Sequence, residues 1–211
     1  MSNETNNNNT ASPILSRPDL LAIAEMIPEN ARVLDLGCGS GRLLRYLRDH
    51  KGAFVQGVEL DQEKLIACMD RGIPVIQADL DEKLALFSDK KFDYVILSRT
   101  LQAIRRPDLI LEEMLRLGDK GIISIMNFGQ LDARIQFLLG HMPVTKRLPY
   151  QWFDTPNIHP GMLADFRQLC KDKDIKILQE IPVTQKGEFF RFLAPLFPSL
   201  FATNAIFEVA K

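Results

Sequence analysis

Between residues 31 and 126 short apolar runs alternate with segments whose apolar residues fall at helical spacing, without an internal sequence repeat. The apolar runs at 31–36, 53–59, 73–78, 92–97 and 121–126 are short and lack sustained polar alternation. They read as strands buried on both faces. Residues 41–50 place Leu43, Leu44 and Leu47 at helical spacing. Residues 62–71 follow Asp61, a helix-capping residue type, and 107–117 open on a proline and stop at Gly118. Further helices are expected at 18–27 and 161–173, and further strands at 175–180 and 202–210. Strands that alternate with helices pair in parallel through right-handed crossovers, with helices on both faces of one sheet. An α/β fold follows.

The alternation breaks over residues 128–160, which are rich in aromatic residues and proline and have no clean period. This stretch reads as a cap inserted into one domain spanning 14–211. Within it, Ile135, Leu138 and Leu139 mark a short amphipathic helix at 133–139. Residues 1–13, with the run Asn6 to Asn9, are expected to be a disordered tail. A long loop is expected before the last strand. It carries Phe189, Phe190, Phe192, Phe197 and Phe201, which either form an exposed interface or cover the sheet.

Charge and cysteine content remove several function classes. Lys and Arg total 26 against 27 Asp and Glu, so no global basic field gathers nucleic acid or an anionic membrane. Cys38, Cys68 and Cys170 form no C-x-x-C pair, which argues against a disulfide framework or a zinc knuckle. With no apolar leader and no spanning segment, the expected location is the cytoplasm.

The sharpest motif is Asp35-Leu36-Gly37-Cys38-Gly39-Ser40-Gly41, which joins the first strand to the next helix. Its glycines permit positive φ and a close approach of ligand to backbone. Amides at a helix N-terminus favour negative charge. The spacing G-x-G-x-G is one residue shorter than the dinucleotide fingerprint, and Asp35 would repel a pyrophosphate. An acid there suits a ligand bearing an ammonium group. Glu59 ends the second strand 22 residues after Gly37, near the spacing at which an acid accepts ribose hydroxyls. Asp79 follows the third strand.

This set resembles the first motif and strand-end acids of the class I S-adenosylmethionine-dependent methyltransferases. That resemblance implies a Rossmann-like doubly wound sheet of about seven strands, mostly parallel with a C-terminal antiparallel strand. It implies S-adenosylmethionine or S-adenosylhomocysteine as cofactor, held by Asp35, Gly37, Cys38, Gly39, Gly41, Glu59, Leu60, Asp79, Leu80 and Ser98. Here Asp79 would take the adenine amino group, and the Leu80 amide a ring nitrogen.

A narrower resemblance covers residues 30–180. Gly57-Val58-Glu59-Leu60-Asp61, Thr100-Leu101-Gln102, Asn127-Phe128-Gly129 and Tyr150-Gln151-Trp152-Phe153-Asp154 are similar to the MetW family of methionine biosynthesis. That resemblance implies an accessory or activating partner of homoserine O-acyltransferase. The alternative is an active methyltransferase on a small molecule, whose base candidates are Tyr150, Asp154 and His159. Trp152 and Phe153 either wall a pocket or simply pack. Cys38 reads as a small packing residue.

Overall fold

A computed structural model describes residues 17–82, 87–145, 149–184 and 187–211 of the chain, so the expected tail lies outside the described residues. Seven strands form one sheet. They are β1 (Arg32–Leu36), β2 (Phe54–Glu59), β3 (Val75–Gln77), β4 (Phe92–Ser98), β5 (Gly118–Met126), β6 (Lys176–Val183) and β7 (Asn204–Ala210). Their spatial order is β3-β2-β1-β4-β5-β7-β6. The first five pair in parallel, and β7 runs antiparallel to both β5 and β6. The strand order reverses between β1 and β4, so their carboxyl ends open a crevice at a topological switch point.

The helices are α1 (Pro18–Met26), α2 (Arg42–Lys51), α3 (Gln62–Asp70), α4 (Pro107–Leu117), α5 (Leu131–Leu138), α6 (Leu163–Asp172), α7 (Glu188–Leu196) and α8 (Pro198–Phe201). Successive residues of a strand face opposite sides of a sheet. Leu34, Leu36, Val95, Leu97, Ile123 and Ile125 therefore meet α4 and α6 through Leu111, Met114, Leu163 and Phe166. Val33, Ile96 and Ile122 meet the other layer, with Ile23 of α1, Ile27 at its end, and Leu43, Leu44 and Leu47 of α2. Burial on both faces explains why these strands carry unbroken apolar runs. Asp61 caps α3 as expected, accepting the Glu63 and Lys64 amides at 2.9 and 3.1 Å.

The aromatic segment before β7 is helical, not the expected loop. Two features masked this in the sequence. Pro195 reads as a breaker, and α7 does stop one residue after it, at Leu196. The phenylalanines face different surroundings: Phe190 packs on Phe201, with ring centroids 6.0 Å apart, whereas Phe189, Phe192 and Phe197 are exposed. β5 also starts earlier than expected, at Gly118, because that residue both ends α4 and pairs with Phe92.

Gly57 shows how tightly β2 supports the turn after β1. A Cβ there would lie 2.5 Å from Cys38 Sγ and 3.2 Å from Leu44 Cδ1. Gly57→Ala is expected to lower stability by about 1–3 kcal/mol through overpacking, read from urea denaturation. An unchanged midpoint would contradict this packing.

Candidate functional site

The turn after β1 is fixed from two sides. The Gly37 and Cys38 amides both donate to Val58 O, at 2.8 and 3.0 Å. On the other side Thr100, just past β4, packs so closely that a Cβ on Gly37 would meet its side chain at 2.7 Å. With a φ of 79°, Gly37 also adopts a conformation that side chains rarely accept. Gly41, at a φ of 71°, precedes α2, and a Cβ there would stand 2.9 Å from Cys68 Sγ. A Cβ on Gly39 would meet nothing within 4 Å. The middle of the turn is therefore open while its ends are pinned.

Glu59 closes on that turn. Its Oε2 accepts the Gly39 amide at 2.8 Å, and its Oε1 accepts the Leu60 and Asp61 amides at 3.0 Å each. A carboxylate offers about four acceptor positions. These three bonds leave room for about one more, on Oε2. The Leu60 side chain is exposed, so its role in this arrangement is carried by its amide.

Asp35 is in a different state. It lies in β1 between Gly57 and Ile96 and is 3% exposed. Its Oδ1 is buried without a hydrogen-bond partner. Burial, reinforced by the Glu59 charge and opposed by Arg17, pushes the Asp35 carboxyl up to about 7. A cavity of about 160 Å³ opens in front of it, walled by Arg17, Arg42, Ser98 and turn residues Gly37 to Ser40. Ser98 Oγ is a second buried, unpartnered atom in this wall.

Arg17 was not anticipated from the sequence. It precedes α1, and it reaches the cavity because Asp19, fully buried, pairs with both Arg17 at 2.6 Å and Arg99 at 3.0 Å. Burial pushes Asp19 upward, but the Arg17 hydrogen bond and the charges of Arg99 and Arg17 outweigh it and hold the carboxyl below its ordinary value. The run Arg17-Pro18-Asp19 was the available signal, but its placement against β4 depends on tertiary packing.

The remaining expected residues are distributed elsewhere. Glu59 is closed on the turn and is not in the cavity wall. Asp79 stands two residues past β3, whose Gln77 faces Glu59 in register. Its carboxylate accepts the Asp81 amide at 2.9 Å. Leu80 lines a second groove, beside Arg106 and Ile110 of the α4 region. Cys38 is buried with its Sγ 3.8 Å from Cys68 Sγ. Burial and the Asp35 charge push its thiol well above the ordinary range, which suits packing and not nucleophilic attack.

Tyr150, Asp154 and His159 are all exposed, and none lines the cavity at the glycine turn. Trp152 and Phe153 do not wall that cavity; they are exposed and meet edge to face at 5.7 Å. His159 is held through its backbone. Its amide donates to Gln102 O at 2.7 Å, and Gln102 Nε2 donates to its carbonyl at 3.2 Å. Gln102 also accepts the Met126 amide at 2.8 Å, so this buried side chain ties the 128–160 segment to the end of β5. Nothing in the sequence around Gln102 signals this role, because its partners lie 24 and 57 residues away.

A sheet of this order, reversed at β1/β4 and closed by an antiparallel last strand, with a glycine turn after β1, has the class I methyltransferase fold. Solved structures agree. A methyltransferase from Thermotoga maritima shares the fold at a TM-score of 0.67 and 16% identity, over 92% of this chain and 87% of that one. Magnesium protoporphyrin IX methyltransferase from Synechocystis PCC 6803, solved with bound SAH, gives 0.66 and 16%, over 100% and 90%. The family described as "Methionine biosynthesis protein MetW" matches residues 17–209, and the chain belongs to it. A relative from Rhodopirellula baltica, "Bifunctional methionine biosynthesis protein MetXA/MetW", is 39% identical over 180 residues. That match takes in 81% of this chain and spans 29% of the relative's length.

Asp35 makes a specific pH prediction. Its folded value, about 7, lies above the ordinary carboxylate value, so the folded state holds this proton more tightly than the unfolded one. Its contribution is most favourable below the unfolded value and is lost as pH rises toward 7. Urea denaturation should therefore find Asp35→Asn gaining on the wild type by about 2.5 kcal/mol between pH 5 and pH 8. A pH-independent difference would contradict the buried, unpaired state.

Proposed function

We propose that the cavity at the glycine turn binds the amino-acid end of S-adenosylmethionine or S-adenosylhomocysteine. The observation that carries this reading is Asp35 Oδ1, buried and unpartnered at the cavity. Burying a carboxylate oxygen without a partner costs stability, and a cationic ammonium supplies the missing donors and charge. Arg17 and Arg42 in the same wall suit the ligand's carboxylate. A cavity bearing both signs of charge matches a zwitterion better than a pyrophosphate. Glu59, with its remaining acceptor position, is assigned to a ribose hydroxyl. Asp79 and the Leu80 amide are assigned to the adenine edge, at the neighbouring strand end. Bound S-adenosylmethionine would bring an activated methyl group.

We further propose that the protein works as an accessory partner of homoserine O-acyltransferase in methionine biosynthesis and senses this nucleotide. The bifunctional MetXA/MetW relative supports the pairing. The base candidates favour sensing over transfer, because Tyr150, Asp154 and His159 face solvent. Coupling of this kind requires the ligand to bind two states of the protein unequally.

Calorimetric titration with S-adenosylhomocysteine tests the pocket. Binding is expected for the wild type and is expected to be lost in Glu59→Ala and Asp35→Asn. At about 100 times its dissociation constant the ligand should add about 2.7 kcal/mol of stability. Because ammonium binding needs the ionised Asp35, the dissociation constant should rise about 15-fold from pH 7 to pH 5.5. No heat and no stabilisation with either nucleotide would overturn the assignment.

A further inference from the structure

The start of α1 borders the cavity at the glycine turn, where Arg17 and Leu20 line it. Between them in the chain stands Asp19, fully buried. Its Oδ1 accepts Arg17 Nε at 3.3 Å, and its Oδ2 accepts Arg17 Nη2 at 2.6 Å. Oδ2 also pairs with Arg99 Nη2 at 3.0 Å. Arg99 follows Ser98, another residue of the cavity wall, and holds a φ of 61°, which is uncommon for a residue with a side chain. Asp19 thus ties the start of α1 to the end of β4 beside the cavity.

Packing alone does not require this network. Leu20, Ile23 and Ala24 are buried on α1, with Ile27 just past it, and they fasten the helix to its layer. A buried ion pair is often no more stabilising than apolar residues of the same volume. Apolar residues could not, however, hold a guanidinium at a cavity. Arginine has five N–H donors, and Asp19 takes two of those on Arg17 in a fork. The remaining three sit on a side chain that lines the cavity. The backbone of Arg17 is fixed as well, because its carbonyl accepts the Leu20 and Leu21 amides at 3.0 and 3.2 Å. Arg42, the other cation in the wall, is exposed at the start of α2 and would lose more rotamer freedom on meeting a ligand. Arg17 is also near enough to Asp35 to oppose its upward shift. An amino-acid end carries its ammonium and carboxylate on one carbon, so a fixed cation near a fixed anion reads the two groups together.

We propose that Asp19 is a positioning residue that sets Arg17 as the receptor for the ligand's α-carboxylate, so that the site selects adenosyl compounds with an intact amino-acid end over those lacking the carboxylate. The inference rests on the pocket reading given above and adds a specificity to it.

Dissociation constants are measured by calorimetry for S-adenosylhomocysteine and for its decarboxylated analogue, which keeps the ammonium, thioether and nucleoside. The wild type is expected to favour S-adenosylhomocysteine by about 30-fold. Arg17→Ala and Asp19→Asn are each expected to cut that preference to about threefold or less, and the double variant to cut it no further, because Asp19 acts through Arg17. Binding of the decarboxylated analogue is not expected to weaken in any of them. A parallel loss of both ligands would mark a purely structural role and overturn the inference. Should Asp19→Asn not fold, Arg17→Lys takes its place. Lysine keeps the charge without the fork that Asp19 grips, and the preference is expected to fall by about fivefold or more. A preference that survives Asp19→Asn or Arg17→Lys overturns the positioning role. One lost in Arg42→Ala but kept in Arg17→Ala overturns the receptor. Equal binding of both ligands by the wild type overturns the inference and leaves the pocket reading intact. No binding of either ligand by the wild type overturns the pocket reading and this inference with it.

Discussion

One carboxylate oxygen, Asp35 Oδ1, is buried at the carboxyl edge of a parallel sheet with nothing to bond it. Folding places it there because β1 is flanked by β2 and β4 along its length, and Asp35 pairs with Gly57 on one side and Ile96 on the other. The strands cannot move apart to hydrate it without opening both apolar layers. Desolvation therefore raises its proton affinity, and the Glu59 charge raises it further. An oxygen kept in this state weakens the free protein, and a cation in the adjoining cavity relieves the cost. Strain of that kind is most often found where a ligand completes the structure.

The surrounding turn is built to keep that cavity open. Val58 O takes two of its amides, Thr100 presses against Gly37, and Glu59 draws in Gly39. Glu59 has thereby become a structural element of the loop as well as a candidate ligand residue. Its three backbone bonds give the bend one position, so ligand binding need not order it.

Much of this was legible in the sequence, because it is local. The apolar runs mark strands that need cover on both faces, and Asp61 and Pro107 mark helix starts through their own backbone chemistry. The glycine triplet and the acid before it announce the turn. What escaped reading depends on contacts between distant segments. Arg17 reaches the cavity through a buried Asp19 and Arg99. Gln102 matters because Met126 and His159, 24 and 57 residues away, both come to its amide. Helix α7 was hidden by Pro195, which stands one residue before the helix ends. Asp79 was assigned to the same set as Asp35 by its strand-end position; it stands past β3, two strands from β1, where one of its oxygens accepts the Asp81 amide.

Membership of the MetW family and the class I methyltransferase fold are separate facts. The fold accounts for the glycine turn and strand-end acids.

The central claim is that Asp35 is held unpaired for a cationic amino group. A crystal structure with S-adenosylhomocysteine tests it most directly. The ligand's ammonium nitrogen is expected within about 3 Å of Asp35 Oδ1, with its carboxylate toward Arg17 or Arg42. A ligand seated elsewhere, or an Asp35 oxygen that remains without a donor in the complex, would contradict it.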